Sequence, residues 1–251
     1  MITTSKHKLW FSLFDSSDYK GDPVSFFSEN DYQWAKVIEA NFEAIRAELL
    51  TYLKDHELES YFNDSMVEKK HTWKTVSLKW WGIDFNKNQK KFKTTSEILN
   101  SFPEIVSASF NLLQANSKIK PHNGDTNAIF RCHLGLIIPK NAADCGFTVN
   151  GETRQWEEGK LLIFVDANHH EAFNNTNEDR YIFLFDVLRE DYRKQEKYVC
   201  GIVITGLFLQ KIAEKFKLLY KSPSWLIKIV AFILYPFARF CLMLIRLLKI
   251  Y

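Results

Sequence analysis

Apolar side chains along residues 34–53 recur at steps of four, four, three, four and four: Trp34, Ile38, Phe42, Ile45, Leu49 and Leu53. That interval lays them on one face of a helix. Ser28 and Asn30 upstream offer capping oxygens, so the spacing predicts one amphipathic helix packed on a core. From Trp73 to Trp81 the pattern turns to alternation, with Val76, Leu78 and Trp80 on one side, which predicts a strand. The polar run DFNKNQKKFK that follows reads as an exposed loop. Between residues 104 and 188 short apolar runs are separated by turn chemistry: IVSASFNLL before ANSK, FRCHLGLIIP before KNAADCG, FTV closed by Asn150-Gly151, then KLLIFV and RYIFLFDVL. Strands this short and evenly spaced predict a mainly β fold, a jelly roll or similar barrel, rather than a parallel sheet.

Composition narrows the class without choosing a chemistry. The chain has 251 residues, 46% of them hydrophobic and 15% aromatic, enough for a sizeable core and too apolar for a disordered chain. A net charge of +3 and the lack of a basic stripe with interleaved aromatics speak against nucleic acid. The charge is unevenly placed. Residues 211–251 hold eight Lys/Arg and one acid, net +7, leaving −4 on the rest. Cys132, Cys145, Cys200 and Cys241 have no C-x-x-C spacing, so neither a zinc knuckle nor a disulfide framework is expected. The amino-terminal MITTSKHKLWFSLFDSS lacks the features of a secretion signal, which predicts an unexported protein.

His122 stands in Pro121-His122-Asn123-Gly124-Asp125, His170 comes 48 residues later, and Arg180 opens an apolar run ten residues further on. In an antiparallel barrel these three converge on the mouth. Two neutral imidazoles suit Fe(II), and an Arg pointing into an apolar barrel needs an anion to offset its desolvation. His169 adjoins His170, and a slip of register would exchange them. Trp156 reads as packing beneath a turn, Asp166 as a cap or backbone bridge, His71 and His7 as exposed, and Cys132 as core, since it points opposite to Arg131 and His133.

These residues carry a family resemblance. The P-H-x-G-x-T-N opening at Pro121, R-x-H-L-G-L from Arg131, W-E-E-G-K from Trp156, F-x-D-x-x-x-H-E ending at Glu171 and R-x-I-F-x-x-D-V from Arg180 resemble the catalytic domain of the aspartyl/asparaginyl β-hydroxylases. The resemblance implies a double-stranded β-helix (jelly roll) core with N-terminal α-helices, Fe(II) as metal, and 2-oxoglutarate and O₂ as cosubstrates. It implies that His122 and His170 bind the metal, that Arg180 pairs with the distal carboxylate of 2-oxoglutarate, and that Arg131 and His133 face its metal-bound end. Asn111 stands where the family commonly offers a serine to the cosubstrate. Gly124 takes the place of the usual third, carboxylate ligand, so water completes the coordination; the related lipid A acyl 2-hydroxylases have an acid there. Asp125 is either a substitute ligand or, as we expect, a loop or supporting residue.

Residues 225–251, WLIKIVAFILYPFARFCLMLIRLLKIY, are apolar but interrupted by Lys228, Arg239, Arg246 and Lys249. At 100° per residue the four cations fall within about 80°, the pattern of an in-plane amphipathic helix; a tilted spanning helix is the alternative. The expected organisation is therefore 1–103 as the helical and strand N-terminal part of the catalytic unit, 104–195 as the jelly-roll core and 196–251 as a membrane-associating region. The expected place is the cytoplasmic side of a membrane. The resemblance implies β-hydroxylation of Asp or Asn in a peptide or protein; the tail offers a lipid acyl chain instead. A non-enzymatic cupin-like binding module is the third reading.

Overall fold

The run IVSASFNLL forms β4 (Ile105–Leu113), and what lies beside and across it explains why so little of it is polar. In this computed structural model, which describes residues 8–15, 17–215 and 224–248, β4 sits between β2 (Trp73–Trp80) and β11 (Arg180–Leu188). Beyond β11 come β6 (Ile129–Ile137) and β9 (Leu161–Val165), and the short β1 (Glu59–Ser60) and β3 (Ile83–Asp84) pair with β2, making seven strands. A second sheet of four runs β5 (Ser117–Asn123), β10 (His169–Asn174), β7 (Cys145–Val149), β8 (Glu152–Gln155). All these strand pairings are antiparallel, and the architecture is a jelly roll. The hairpin between β7 and β8 turns at Asn150 and Gly151, with φ of 49° and 83°, the left-handed pair that an Asn-Gly turn supplies.

Alternation along the central strands separates two jobs. Phe110 on β4, Cys132 and Leu134 on β6, and Phe183 and Phe185 on β11 join one buried cluster with Ile38, Ile45 and Leu49. Those three come from α1 (Gln33–Ala40) and α2 (Phe42–Leu53), which cover the outer face of the large sheet. The residues between them in sequence, Asn111, Arg131, His133, Arg180, Ile182 and Asp186, face the small sheet. Both faces are covered, so β4 and β11 read as nearly unbroken apolar runs. Cys132 is core, as its phase in the strand predicted.

Several expectations change in detail. The helix predicted over 34–53 is two helices, broken at Asn41, whose side-chain amide donates to the Val37 carbonyl at 2.8 Å and competes with the helix ladder. Ser28 caps a one-turn 3-10 helix, Glu29–Asp31, and not α1. The expected loop DFNKNQKKFK instead contains α3 (Asn86–Gln89) and the start of α4 (Lys93–Asn100). Its Phe92 is fully buried and stacks on Phe110 at 4.6 Å, a burial that contributes about 2 kcal/mol and pins the segment to the sheet. The large sheet also begins before residue 104, because β2 pairs with β4.

After β11 the chain forms α5 (Glu196–Lys215) and α6 (Ser224–Leu248). Val199, Cys200, Val203 and Leu207 of α5 pack with Val106, Ile129 and Leu188 of the large sheet. Gly201 lies against Tyr235 and Arg239, and Glu196 and Ile245 line one hollow, so the two helices run antiparallel. Among the described residues, a narrow strip of α6 with Ala231, Tyr235 and Arg239 meets α5. Phe232, Ile233, Phe237, Phe240 and Met243 stand exposed, Phe232 at 81%. Lys228 and Arg239 flank the packed strip, about a quarter turn from the middle of the exposed apolar arc. Lys249 lies outside the described residues, as do His7 and the side chain of Arg246; His71 is exposed beside Asp64.

Candidate functional site

His122 is the last residue but one of β5 and His170 the second of β10, and the register sets them directly opposite each other. Their rings lie 4.2 Å apart, centroid to centroid. Each ring is tied by the same device: Nδ1 lies 2.7 Å from a backbone carbonyl two residues back, Lys120 for His122 and Asn168 for His170. A carbonyl only accepts, so each Nδ1 carries the proton and each Nε2 keeps a bare lone pair. Burial pulls both basicities below the ordinary imidazole value, and the His122 ring adds to the effect on His170. Two adjacent, neutral imidazoles with Nε2 unprotonated form a donor set for a borderline transition metal such as Fe(II). His169 is exposed on the other face of β10, which resolves the register ambiguity in favour of His170 as the inward ring.

The six residues to which the resemblance gives a metal or cosubstrate role, Asn111, His122, Arg131, His133, His170 and Arg180, line one narrow cavity between the sheets. Their environments differ. Arg180 is 2% exposed, lies over the Trp156 ring at 4.3 Å, and has no partner for Nε or for one terminal nitrogen. Burial without a carboxylate lowers its pKa to about 10, so it remains a cation with unmet donors. Both His133 nitrogens and the Trp156 Nε1 are also buried without partners. Such a cluster of orphaned donors around one cation fits an anionic, multiply accepting ligand. Arg131 is already engaged: Nε and one terminal nitrogen hold Asp186 at 2.8 and 3.0 Å, and the other meets Asp166 at 2.6 Å. Asn111 is satisfied too, donating to Ser109 and accepting from Trp73 Nε1 at 3.0 Å.

The three acids near Arg131 are what sequence reasoning missed or underrated. Asp186 is its cross-strand partner on β11, and Asp166 follows β9 and also accepts from the Asp125 amide at 2.7 Å. The Asp125 carboxyl is raised to about 7 by burial and by the neighbouring Asp166 charge, so one Arg does not hold three ionised carboxylates. A signal existed in the sequence: a lone acid inside the apolar run RYIFLFDVL must have a buried cationic partner. Asp166 also explains Gly124. A Cβ at position 124 would fall 2.2 Å from the Asp166 carboxyl, so the place where a third ligand would branch from the chain is taken. Gly124→Ala is expected to destabilise the fold by about 1–3 kcal/mol in urea denaturation, because Asp166 cannot yield without leaving Arg131.

The buried imidazoles also set a pH response. His133 is held well below the ordinary value by burial and then by Arg180 and Arg131. A base depressed in the folded state gives stability that is present above the unfolded value of 6.5 and lost as pH falls. Asp125 has the opposite sign, losing stability as pH rises toward about 7, so whole-protein curves mix the two. His133→Phe isolates one proton: between pH 6.5 and 5.5 the metal-free variant should lose about 1 kcal/mol less stability than metal-free wild type, read by urea denaturation at the two values.

A family model described as aspartyl/asparaginyl beta-hydroxylase matches residues 39–190. The ornithine lipid ester-linked acyl 2-hydroxylase of Rhizobium tropici is 32% identical over 163 residues, 63% of this chain and 58% of that protein. The human aspartyl/asparaginyl beta-hydroxylase is 31% identical over 193 residues, 74% of this chain but 25% of the human protein. This chain thus spans little more than half of one relative and a quarter of the other. Among solved structures, a Pseudomonas putida prolyl-4-hydroxylase is 13% identical, with a TM-score of 0.40 over 59% of this chain and 88% of that one.

Proposed function

Because the chain belongs to the aspartyl/asparaginyl beta-hydroxylase family, we propose that it is an Fe(II)- and 2-oxoglutarate-dependent dioxygenase, with the metal on His122 and His170 and the cosubstrate anchored by Arg180. Bound together, Fe(II), 2-oxoglutarate and O₂ supply the oxidation: one oxygen atom enters a substrate C–H bond, the other ends in succinate, and CO₂ leaves. The observation that carries the reading is Arg180, a fully buried cation with unmet donors in the same cavity as two imidazoles whose Nε2 lone pairs are bare.

The chain's own residues have separate tasks in this reading. The carbonyls of Lys120 and Asn168 hold the two rings in the ligating tautomer. Arg180 takes a carboxylate with its planar fork, and His133 and Trp156 Nε1 offer the remaining unpaired donors. Arg131, tied to Asp166 and Asp186, forms a fixed wall at the metal-bound end of the cosubstrate rather than a free fork, and Asn111 belongs to the same wall. Asp125 supports the Arg131 network and is not a ligand. The non-enzymatic reading leaves the orphaned donors without a purpose.

The exposed arc of α6 supports membrane association. Lys228–Ile245 is apolar enough in length and composition to cross a bilayer, with mean hydropathy 1.9. The seam with α5 and its flanking cations favour a helix lying in the interface over one that spans. The test of the catalytic reading is direct. Protein prepared without oxygen should bind about one Fe(II) per chain and, on adding 2-oxoglutarate, develop the visible absorption of the joint complex; air should then yield succinate. A protein that binds neither would sink the proposal.

A further inference from the structure

The run DFNKNQKKFK has no part in the cavity of the histidines, yet it is held rigid. Phe92 is fully buried on Phe110, and the backbone before it closes turn by turn: the amides of Gln89, Lys90, Lys91 and Phe92 donate to the carbonyls of Phe85, Asn86, Asn88 and Gln89. This corner presents Lys87, Lys90, Lys91 and Lys93 to solvent, all four exposed. Lys91 leans back onto the Tyr52 ring and lies 3.0 Å from His56 Nε2. Lys87, Lys90 and Lys93 recur at steps of three and form no ion pair among the described residues; the lysines that do find a carboxylate are Lys74, Lys79 and Lys160. Like charges this close repel, so the corner does nothing for the fold and attracts a polyanion. Its place in the molecule narrows the choice. Lys90 and Lys93 border a hollow with Asn86, Gln89 and Asn100, and the same three polar residues border a second hollow that also meets Ile245 of α6. The lysines therefore stand beside the end of α6, whose Phe237, Phe240 and Met243 are exposed. Glu97 is the acid on the lysine hollow, and Asp84 nearby is already held by Lys79 at 3.7 Å.

We propose that Lys87, Lys90 and Lys93 are a second contact of this protein with an anionic phospholipid surface, meeting headgroup phosphates where the apolar arc of α6 enters the interface. The proposal rests on the membrane reading of α6 above and adds what that helix alone lacks. One helix lying in the plane leaves its domain free to roll about the helix axis. A charged contact away from that axis, on a corner pinned to the sheet by Phe92, stops the roll and holds one side of the jelly roll to the membrane. Cations within about 10 Å of an anionic surface feel its potential at physiological salt. Nucleic acid is the other polyanion, but it would leave the adjoining apolar arc wet.

The experiment uses full-length protein, acetylated briefly with an N-hydroxysuccinimide ester alone, with phosphatidylcholine vesicles, or with vesicles also containing phosphatidylglycerol. Mass spectrometry reads each lysine. Phosphatidylglycerol vesicles should slow acetylation of Lys87, Lys90 and Lys93 by at least about fivefold and leave Lys140 unchanged. Lys140 is the control because it is exposed beyond Ile137, at the far end of β6 from Ile129, which packs on α5. Changing Lys87→Gln, Lys90→Gln and Lys93→Gln together should weaken binding to those vesicles at least about tenfold, while binding to neutral vesicles stays within about twofold of wild type and the melting temperature does not fall. Phe237→Asp, on the exposed arc, should weaken binding to both kinds of vesicle. Lysines that react equally fast with and without vesicles, while Phe237→Asp abolishes binding, overturn the second contact and leave α6 standing. Protected lysines with Phe237→Asp binding like wild type overturn the α6 reading and leave the lysines as the contact. Protection by duplex DNA but not by phosphatidylglycerol vesicles overturns the proposal and assigns the corner to nucleic acid.

Discussion

His170→Ala should leave the protein folded but unable to hold Fe(II) or turn over 2-oxoglutarate. The ring faces His122 across β5 and β10, and its carbonyl-locked Nδ1 leaves only Nε2 for the metal. Losing a supporting residue costs about 10–100-fold in affinity or activity, whereas losing one of two protein ligands should cost more than about a thousandfold. His122→Ala should match it. The internal control is His169→Ala, which removes an exposed ring from the opposite face of β10 and should stay within about threefold of wild type. Iron content after desalting and succinate release are the two measurements. An active His170→Ala protein with an inactive His169→Ala partner would mean that β10 is out of register by one residue.

Arg180 offers the other large effect, and its sign differs between stability and activity. The guanidinium is buried on Trp156 with unmet donors, so the metal-free, ligand-free protein carries a desolvated charge without an ion partner. Arg180→Met keeps the length and removes the charge. It should raise the stability of the ligand-free protein by about 1–4 kcal/mol, the range in which apolar replacement of buried ionic groups is stabilising. The same variant should lose 2-oxoglutarate binding. Arg180→Lys keeps a charge but not the planar fork, and its apparent KM for 2-oxoglutarate should rise by about ten- to a hundredfold. Thermal melts with and without 2-oxoglutarate separate the outcomes: wild type shifts upward with ligand, Arg180→Met starts higher and does not move. A more active or ligand-responsive Arg180→Met protein would show that the anion sits elsewhere.

The strands that could be read from the chain are those that form the large sheet. β4, β6, β9 and β11 are covered on both faces and announce themselves as apolar runs, and the Asn150-Gly151 turn marks the β7–β8 hairpin. β5, β8 and β10 were not legible as strands. In β5 the inward positions end in His122 and the outward ones are Lys118 and Lys120, with Pro121 among them, which an edge strand tolerates. β10 begins with two histidines, and β8 is exposed throughout. The chemistry itself hid β5 and β10, because histidines stand where a core strand would be apolar. The six site residues were legible as residue types at a spacing and through family resemblance. The link from Arg131 to Asp166 and Asp186 was not, since it depends on the register of β6 against β11 and on the exit from β9. The break at Asn41 was hidden for a different reason: its side chain competes with the backbone while the apolar stripe runs through unchanged.

The opposed histidines have a mechanical side as well. β5 is the edge of its sheet, paired along its length with β10 and touched on its free side by Val67 and the Glu68 amide, and His122 lies next to its last residue. An ion shared by His122 and His170 ties together two points 48 residues apart in the chain. In polymer terms that is a reversible cross-link, and closing a loop of that size in the unfolded chain corresponds to about 4 kcal/mol of lost conformational entropy if the ion stays on both rings. The clasp would fasten an edge strand to which Lys118, Lys120 and Pro121 give few apolar anchors. Scarcity of iron would then shorten the life of the folded protein along with slowing its reaction.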